Sequence, residues 1–226
     1  MPPFNTTPAA AIAATRRAVG VPRQVRLRNG APALIRVVRP EDTVRFAGFV
    51  ARLSPASRGE RFGPGFGACS PAMLVDLVNA DGVRQVAYVA TVRRDQYEEL
   101  IGEARYTLSG EGADAAAALT VAVADIWQGQ GLAVQLLEQL VEAARDAGLR
   151  RLFAEVPATN RRMIRFMQRM GFVACAPEPG RPALRMERGV TPRPPLAPEP
   201  GPMDLLRRWL HNQFFHFGAG HSRVAS

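Results

Sequence analysis

A short loop at residues 128–131 carries the residue types with the clearest chemistry in this chain. It reads Gln128-Gly129-Gln130-Gly131 and joins the apolar segment 121–124 to an amphipathic segment that begins at Leu132. Glycine has no Cβ, so two glycines let the backbone turn tightly at such a junction. The first amides of the following helix then point outward, unpaired, at the positive end of the helix dipole. This spacing predicts a seat for a pyrophosphate group.

The elements that must position this loop alternate between strand and helix. The stretch 117–124 predicts a strand, and the helix after the loop places its apolar residues at helical spacing, namely Leu132, Leu136, Leu137, Leu140, Val141 and Ala144. Gly148 predicts a left-handed end to that helix. A strand at 151–156 and a helix at 160–170, stopped by Gly171, complete this half.

The upstream half follows the same pattern and indicates an α/β fold. Apolar runs predict strands at 33–38, 85–92 and 100–108, the last two joined through the polar segment 93–99, and a last short strand follows downstream at 183–186. A helix opens at Pro40, with proline and two acidic residues in its first turn. Residues 54–62 and 70–78 predict two further short helices, separated by a glycine-rich loop.

Composition sets the limits of the functional class. The chain has 226 residues, 47% hydrophobic and 22% charged, which suits one globular domain with additional tails. No stretch approaches the roughly 20 apolar residues that cross a bilayer. We expect Cys69 and Cys175, the only cysteines, to be free thiols in a reducing cytoplasm rather than a disulfide.

The charge balance is basic, and all of the basic charge comes from arginine. The formal net charge is +9 and the chain contains no lysine, which together with its many alanines is explained most simply by a biased genome. A polyanionic cofactor would suit this charge as well as an acidic partner would. The aromatic–basic pattern of a nucleic-acid-binding module is missing, so we predict no nucleic-acid partner.

Four segments divide the chain. We expect a mobile N-terminal segment at 1–21, a folded α/β domain at 22–190, a stiff proline-rich linker at 191–202 and an amphipathic helix with a tail at 203–226. The last helix could dock on the domain, join a partner or second copy, or lie on a membrane surface. We favour docking or dimerisation over the membrane.

The order and spacing of these motifs resemble the GNAT superfamily of acyl-CoA N-acyltransferases. In that superfamily the phosphate loop reads Gln/Arg-x-x-Gly-x-Gly/Ala, which Gln128, Gly131 and Ala133 match. An asparagine near the end of the next strand and a Gly-Phe pair after the following helix also recur, as Asn160 and Gly171-Phe172 do here. The agreement extends over about 60 residues.

The upstream half is similar to one branch, the Pat-type protein acetyltransferases. The segments that carry this likeness are 31–42, 52–62 and 101–106, so the resemblance covers residues 22–188. It implies the GNAT fold, a mixed and splayed central sheet flanked by helices on both faces. It also implies acetyl transfer from acetyl-CoA to an amine, which could be a protein lysine, a protein N-terminus or a small molecule, by direct attack in a ternary complex and without a metal.

The resemblance assigns roles to individual residues. Backbone amides of the phosphate loop would hold the CoA pyrophosphate, namely those of Gln128, Gly129, Gln130, Gly131, Leu132 and Ala133. The strand edge formed by Val121, Ala122 and Val123 would pair with the pantetheine arm, and one N–H there would polarise the thioester carbonyl. Asn160 would hydrogen-bond the pantetheine or the thiol end; the alternative is a helix N-cap without a ligand role.

The usual proton-handling residues are absent. Pat-type enzymes carry a glutamate early in the strand before the phosphate loop, and the corresponding residue here is Ala118. Many GNAT enzymes use a tyrosine to protonate the leaving thiolate, and the corresponding residue here is Met167. A glutamate similar to Glu155 supplies the base in ribosomal-protein N-terminal acetyltransferases, so Glu155 is our candidate base. Its structural alternative is an ion pair with a neighbouring arginine (Arg151, Arg161 or Arg162). Glu103 and Tyr106 are weaker candidates.

Two further features leave alternatives open. The last predicted helix of the domain carries four arginines, Arg161, Arg162, Arg165 and Arg169. They form either a solvated face or a contact for the CoA 3′-phosphate. Trp127 at the loop entrance fits packing better than chemistry. Because Ala118 and Met167 cannot carry a proton, the alternative to an enzyme is a protein that binds acetyl-CoA as a sensor or scaffold.

Overall fold

A sheet that runs through the whole domain carries the site. The computed structural model describes residues 21–110, 116–176, 180 and 182–193, and these lie within one compact unit. The strands are β1 (Arg23–Arg26), β2 (Pro32–Val37), β3 (Gln85–Arg94), β4 (Tyr97–Ser109), β5 (Ala116–Val123), β6 (Arg151–Pro157), β7 (Val173–Ala174) and β8 (Ala183–Gly189). Their order across the sheet is β1-β2-β3-β4-β5-β6-β8-β7.

Five helices surround the sheet in the described residues, and two of them begin directly after a serine that caps their first turn. They are α1 (Thr43–Arg52), α2 (Pro55–Phe62), α3 (Pro71–Val78), α4 (Leu132–Asp146) and α5 (Arg161–Arg169), with 3-10 turns at Pro40–Asp42 and Asp125–Trp127. Ser54 and Ser70 cap α2 and α3 by accepting bonds from the backbone N–H groups of Ser57 and Met73, each at 3.2 Å. Gly148, at φ +75°, ends α4 as predicted.

Helices cover both faces of the sheet, which confirms the predicted fold class. Gly102 on β4 faces α4, because a Cβ there would lie 3.2 Å from the side chains of Leu132 and Leu136. Its neighbour Glu103 points to the opposite face, where it meets Arg61 of α2. The helices α4 and α2 therefore pack on opposite faces of β4.

The sheet splits between β5 and β6, the fifth and sixth strands in its order. Neighbouring strands pair in antiparallel fashion except β5 and β6, which are parallel and pair only through Ala117 with Leu152 and Ala118 with Phe153. Both strands continue past this point, to Val123 and Pro157. Because their unpaired ends diverge, a cleft opens between them.

The structure extends the sequence prediction in two places. The segment 93–99 is not a linker, because β3 and β4 continue through the pairs Arg93–Glu98 and Arg94–Tyr97 to a tight turn at Asp95, φ +48°. Strands β1 and β7 were not predicted; β1 is an arginine-rich edge strand held by its pairing with β2 rather than by an apolar pattern.

Several predictions fall outside the described residues or are met only in part. All but the last residue of the predicted mobile segment (1–21), most of the predicted linker (191–202) and the predicted helix and tail (203–226) lie outside the described ranges, so these domain boundaries stay predictions. Within the described part of the chain, no helix is long and apolar enough to cross a membrane. Cys69 and Cys175 are half-buried free thiols.

Candidate functional site

The cleft between β5 and β6 is a cavity of about 270 Å³. That volume lies near the lower end of ligand pockets, so it suits a small molecule or one arm of a larger one. Its lining contains all of the predicted cofactor residues except Gln130, namely Val121, Ala122, Val123, Gln128, Gly129, Gly131, Leu132, Ala133 and Asn160, together with Glu155. The fold thus gathers residues from the loop, two strands and α5 around one space.

The glycine loop opens α4 at one end of this cavity. Gly129 and Gly131 have φ values of +77° and +86°, a region in which an L side chain is strained. Gly131 is the N-cap of α4 and offers no side chain to bond the first amides of the helix. Leu132 and Ala133 begin the helix at the cavity wall, so unpaired N–H groups and the positive helix end face this space.

Side chains on both flanks fix the loop. Gln128 donates through Nε2 to the carbonyl of Val123 at 3.1 Å and to Oγ of Ser57 at 3.3 Å. Asp125 accepts bonds from the N–H and hydroxyl of Ser54 and from the hydroxyl of Ser57, each at 2.8 Å. Burial opposes ionisation of Asp125, but these hydrogen bonds outweigh it and hold its pKa below the usual value. These hydrogen bonds therefore join the loop to the end of β5 and to α2.

Arg28, in the turn between β1 and β2, was missed by sequence reasoning. Its backbone N–H donates to the carbonyl of Gln130 at 3.1 Å, and its Nη1 lies 3.5 Å from the carbonyl of Gly129. The exposed side chain lines the cavity beside the loop. No local pattern could have shown this, because the contact joins positions 101 residues apart.

The open edge of β5 presents backbone groups to the cleft. The N–H of Ala124 donates to the carbonyl of Ile101 on β4 at 2.9 Å. Along an antiparallel strand, every second residue directs its backbone N–H and C=O groups to the same neighbour, so those of Ala122 also face β4. Val121 and Val123, which lie opposite Ala104 and Gly102, therefore turn their N–H and C=O groups toward the cavity.

Asn160 caps α5. Its Oδ1 accepts a hydrogen bond from the N–H of Met163 at 2.8 Å, which confirms the helix-cap interpretation. The residue also lines the cavity, so its additional contact with CoA stays a prediction.

The candidate base lies in the cavity wall and is paired. Glu155 is exposed and forms an ion pair at 3.4 Å with Arg185, its cross-strand partner on β8. Arg185 was not among the partners that the sequence suggested. Arg185 also contacts Glu187 at 2.7 Å and lies 3.7 Å above the ring of Phe153. Glu155 is thus both paired with Arg185 and part of the cavity lining.

The other proton-carrying positions are apolar or buried. Met167 is buried in the cavity wall, and Ala118 lies where β5 and β6 begin to diverge. Tyr106 is fully buried away from the cavity, and its hydroxyl has no hydrogen-bond partner in the described part of the chain. Burial raises the pKa of Tyr106 well above the usual value, so it is a poor acid at neutral pH. Glu103 is fully buried behind Arg61.

The arginines of α5 and Trp127 have distinct surroundings. Arg162 donates to Oε1 of Gln128 at 2.6 Å, and both Arg162 and Arg169 line the cavity. Trp127 is buried, and the guanidinium of Arg94 lies 5.7 Å from its ring centre. Packing is therefore the role that the structure gives Trp127.

Known proteins are similar to this chain in sequence and in fold. The Acetyltransferase (GNAT) family profile matches residues 64–172. An acetyltransferase of Pseudomonas aeruginosa is 37% identical over 147 residues, which are 65% of this chain and 78% of that protein. The GNAT domain of S. lividans PAT superposes with a TM-score of 0.69 at 28% identity, covering 75% of this chain and 97% of that one.

A more distant structure shares the fold. It is a Salmonella typhimurium protein solved with its cofactor acetyl-CoA, with a TM-score of 0.56 at 18% identity, covering 74% of this chain and 98% of that one. The sequence match, the splayed sheet and the glycine loop agree, and this chain therefore belongs to the GNAT acetyltransferase family.

Proposed function

We propose that this protein transfers an acetyl group from acetyl-CoA to an amine acceptor by direct attack in a ternary complex. The observation that carries this proposal is the glycine loop, which opens α4 at one end of the cleft between β5 and β6. The likeness to a fold solved with acetyl-CoA supports the same donor here.

Arg28 and the loop amides suit the phosphate end of the donor. The pyrophosphate would lie on the N–H groups from Gly129 to Ala133, with the guanidinium of Arg28 beside it. Arginine pairs well with phosphate because its planar fork presents several donors. Arg162, bonded to Gln128 across the cavity, provides a second cation at the same end.

The open edge of β5 suits the pantetheine and thioester. Pantetheine carries two amides at peptide-like spacing, so it can pair with the N–H and C=O groups of Val121 and Val123 as an added strand. An N–H from the same edge would stabilise negative charge on the thioester oxygen during attack. The donor supplies an activated acetyl group, and the protein orients the amine against it.

We propose Glu155 as the group that accepts the proton of the attacking amine, directly or through water. It is a carboxylate in the cavity wall, and its ion pair with Arg185 fixes its position. Met167 cannot protonate the departing sulfur. A thiol has a pKa of about 8.5, so the thiolate is a good enough leaving group without a dedicated acid.

The acceptor is a protein lysine, a protein N-terminus or a small amine, and we place the reaction in the cytoplasm. The two half-buried free thiols are consistent with a reducing compartment. A second candidate function is binding of acetyl-CoA by a catalytically impaired sensor or scaffold. Ala118 and Met167 favour it, because neither side chain can carry a proton.

Calorimetry with CoA and a turnover assay across peptides and amines distinguish these functions. Turnover that falls by about 10²–10⁴ in Glu155→Gln, with CoA affinity unchanged, supports the enzyme with this base. Glu187→Gln is the matched control, because Glu187 also pairs with Arg185 but lies outside the cavity lining. CoA binding without turnover on any acceptor supports the sensor, and a protein that does not bind CoA contradicts both.

A further inference from the structure

A buried cluster of three charges reaches the cavity wall through one member, Arg61. Arg61 on α2 pairs through Nε with Oε1 of Glu103 on β4, and Arg105 pairs through Nε with Oε2 at 3.0 Å. Glu103 is fully buried, while the side chains of Arg61 and Arg105 are 10% and 12% exposed. Two guanidinium groups thus share one carboxylate.

The cluster carries a net charge of +1. Burial opposes ionisation of Glu103, but the charges of Arg61 and Arg105 outweigh it and hold its pKa below the usual value. All three groups are therefore charged at neutral pH. A buried charge without a full complement of partners is costly, so such an excess favours an anion nearby.

Arg61 is the member of the cluster that can meet a ligand. It lines the cavity, whereas Arg105 is turned away and also donates to the carbonyl of Leu77 at 2.8 Å. In the described part of the chain, the hydrogen bond to Glu103 is the one recorded for Arg61, whose guanidinium also stacks 4.6 Å from the ring centre of Phe62. Its terminal amino groups make no hydrogen bond with the described residues, so they can meet an acceptor atom.

The position of Arg61 indicates whether the donor or the acceptor would supply the anion. Glu103 lies opposite Ala122 on β5, so Arg61 stands beside the strand edge assigned to the thioester. We assign the donor's phosphates to the loop amides and Arg28, and its pantetheine arm is uncharged. An anion at Arg61 must therefore come with the acceptor.

The other charged groups near this wall do not cancel the excess. Glu60, next to Arg61 on α2, lines the cavity but is exposed at its rim, where water screens its charge. Glu155 lies across the cleft and is paired with Arg185. Ala118 stands at the position where the Pat-type enzymes that this chain resembles carry a glutamate. It therefore adds no negative charge to this wall.

We propose that the acceptor carries a carboxylate close to its amine, as a free amino acid does, and that Arg61 binds this carboxylate. This proposal rests on the proposed acetyl transfer and specifies its substrate class. The amine nitrogen forms a bond to the acetyl carbon as the carbon–sulfur bond breaks, the proton passes to Glu155 or water, and the thiolate leaves. A lysine side chain or a polyamine would bring a second cation to a wall that is already positive.

The test compares α-amino acids with their amides, which differ only in the carboxylate. We expect wild-type kcat/KM, corrected for the fraction of free amine, to favour the acid at least tenfold over its amide. Arg61→Gln should abolish this preference by lowering kcat/KM for the acid alone, and Arg61→Lys should restore part of it. Glu103 keeps Arg105 in these variants, and thermal melting verifies that they are folded.

Arg58→Gln is the matched control, because Arg58 lies one turn earlier on α2, outside the cavity lining, where it bonds the carbonyl of Gly67 at 3.0 Å. It should keep the preference. Equal use of acid and amide by the wild type, a better rate on lysine peptides, or an equal loss of both substrates in Arg61→Gln would overturn the proposal.

A binding measurement separates this proposal from the proposed function. Calorimetry of amino acids against the CoA-saturated protein requires no turnover. Carboxylate-dependent binding that disappears in Arg61→Gln supports the substrate class even if acetyl transfer fails. Binding that is indifferent to the carboxylate contradicts it even if acetyl transfer succeeds.

Discussion

Replacing Gly131 with alanine should weaken CoA binding as well as destabilise the fold. Gly131 has φ +86° and is the N-cap of α4. An added Cβ would lie 3.9 Å from Nε of Arg28, so it would clash with nothing in the free protein. It would, however, occupy the space between the loop and Arg28 in which we place the pyrophosphate.

Two separate costs follow from this geometry. An L residue in the left-handed region costs about 1–2 kcal/mol of stability. For a domain of this size that lowers Tm by about 2–8 °C. Losing one charge-assisted hydrogen bond to phosphate costs a further ~1.5–3 kcal/mol of binding free energy. The Kd for CoA should therefore rise by about 10- to 150-fold.

Gly148→Ala provides the matched control. Gly148 has φ +75° with no atom within 4 Å of a built Cβ, and it ends α4 at the opposite end from the loop. A 15-residue helix is about 22 Å long, so this position is remote from the cavity. Differential scanning calorimetry should show a similar loss of Tm in both variants, and titration calorimetry should show weaker CoA binding only in Gly131→Ala. Equal CoA affinities in the two variants would refute the assignment of the loop.

Three further substitutions test other parts of the structure. Arg28→Gln should raise the Kd for CoA about tenfold or more, with a smaller effect at high salt; an unchanged Kd would exclude Arg28 from the phosphate site. Asp42→Asn removes a buried partner of Arg36 at 2.6 Å and should cost about 3 kcal/mol, or roughly 6–12 °C in Tm at pH 7. Burial opposes ionisation of Asp42, but Arg36 and other partners hold its pKa below the usual value, so the wild type keeps this stability above the unfolded-state pKa of about 3.9 and loses it as pH falls through the folded-state pKa. The Tm difference should therefore shrink in acid, and a pH-independent difference would contradict the ion pair as its cause. Ala118→Glu places a carboxylate where β5 and β6 diverge and should raise kcat tenfold or more; no increase in a folded variant would show that a missing base does not limit the rate.

The local features of the site could be predicted from the sequence. Two glycines before an amphipathic run predict a tight turn at a helix start, and Asn160 before another helix predicts a cap. These predictions depend on residues within a few positions of one another, and the loop and the Asn160 cap have the predicted form in the structure.

The partners of charged residues could not be predicted in the same way. Glu155 pairs with Arg185, 30 positions away, a partner that the sequence analysis did not suggest. The strand pairing between β6 and β8 decides this contact, because it places the two residues directly opposite each other. Arg61 meets Glu103 for a similar reason, since α2 packs over the face of β4 that Glu103 shares.

By itself, the sequence determined the order of most helices and strands, the glycine loop and the family resemblance, because each depends on short-range spacing. Only the tertiary structure decided where β5 and β6 diverge, which backbone groups face the cleft and that Arg28 covers the loop. It also decided that one buried carboxylate serves two arginines at the cavity wall. Such contacts join residues that are distant along the chain, and hydrogen-bond register and burial, which no local pattern encodes, bring them together.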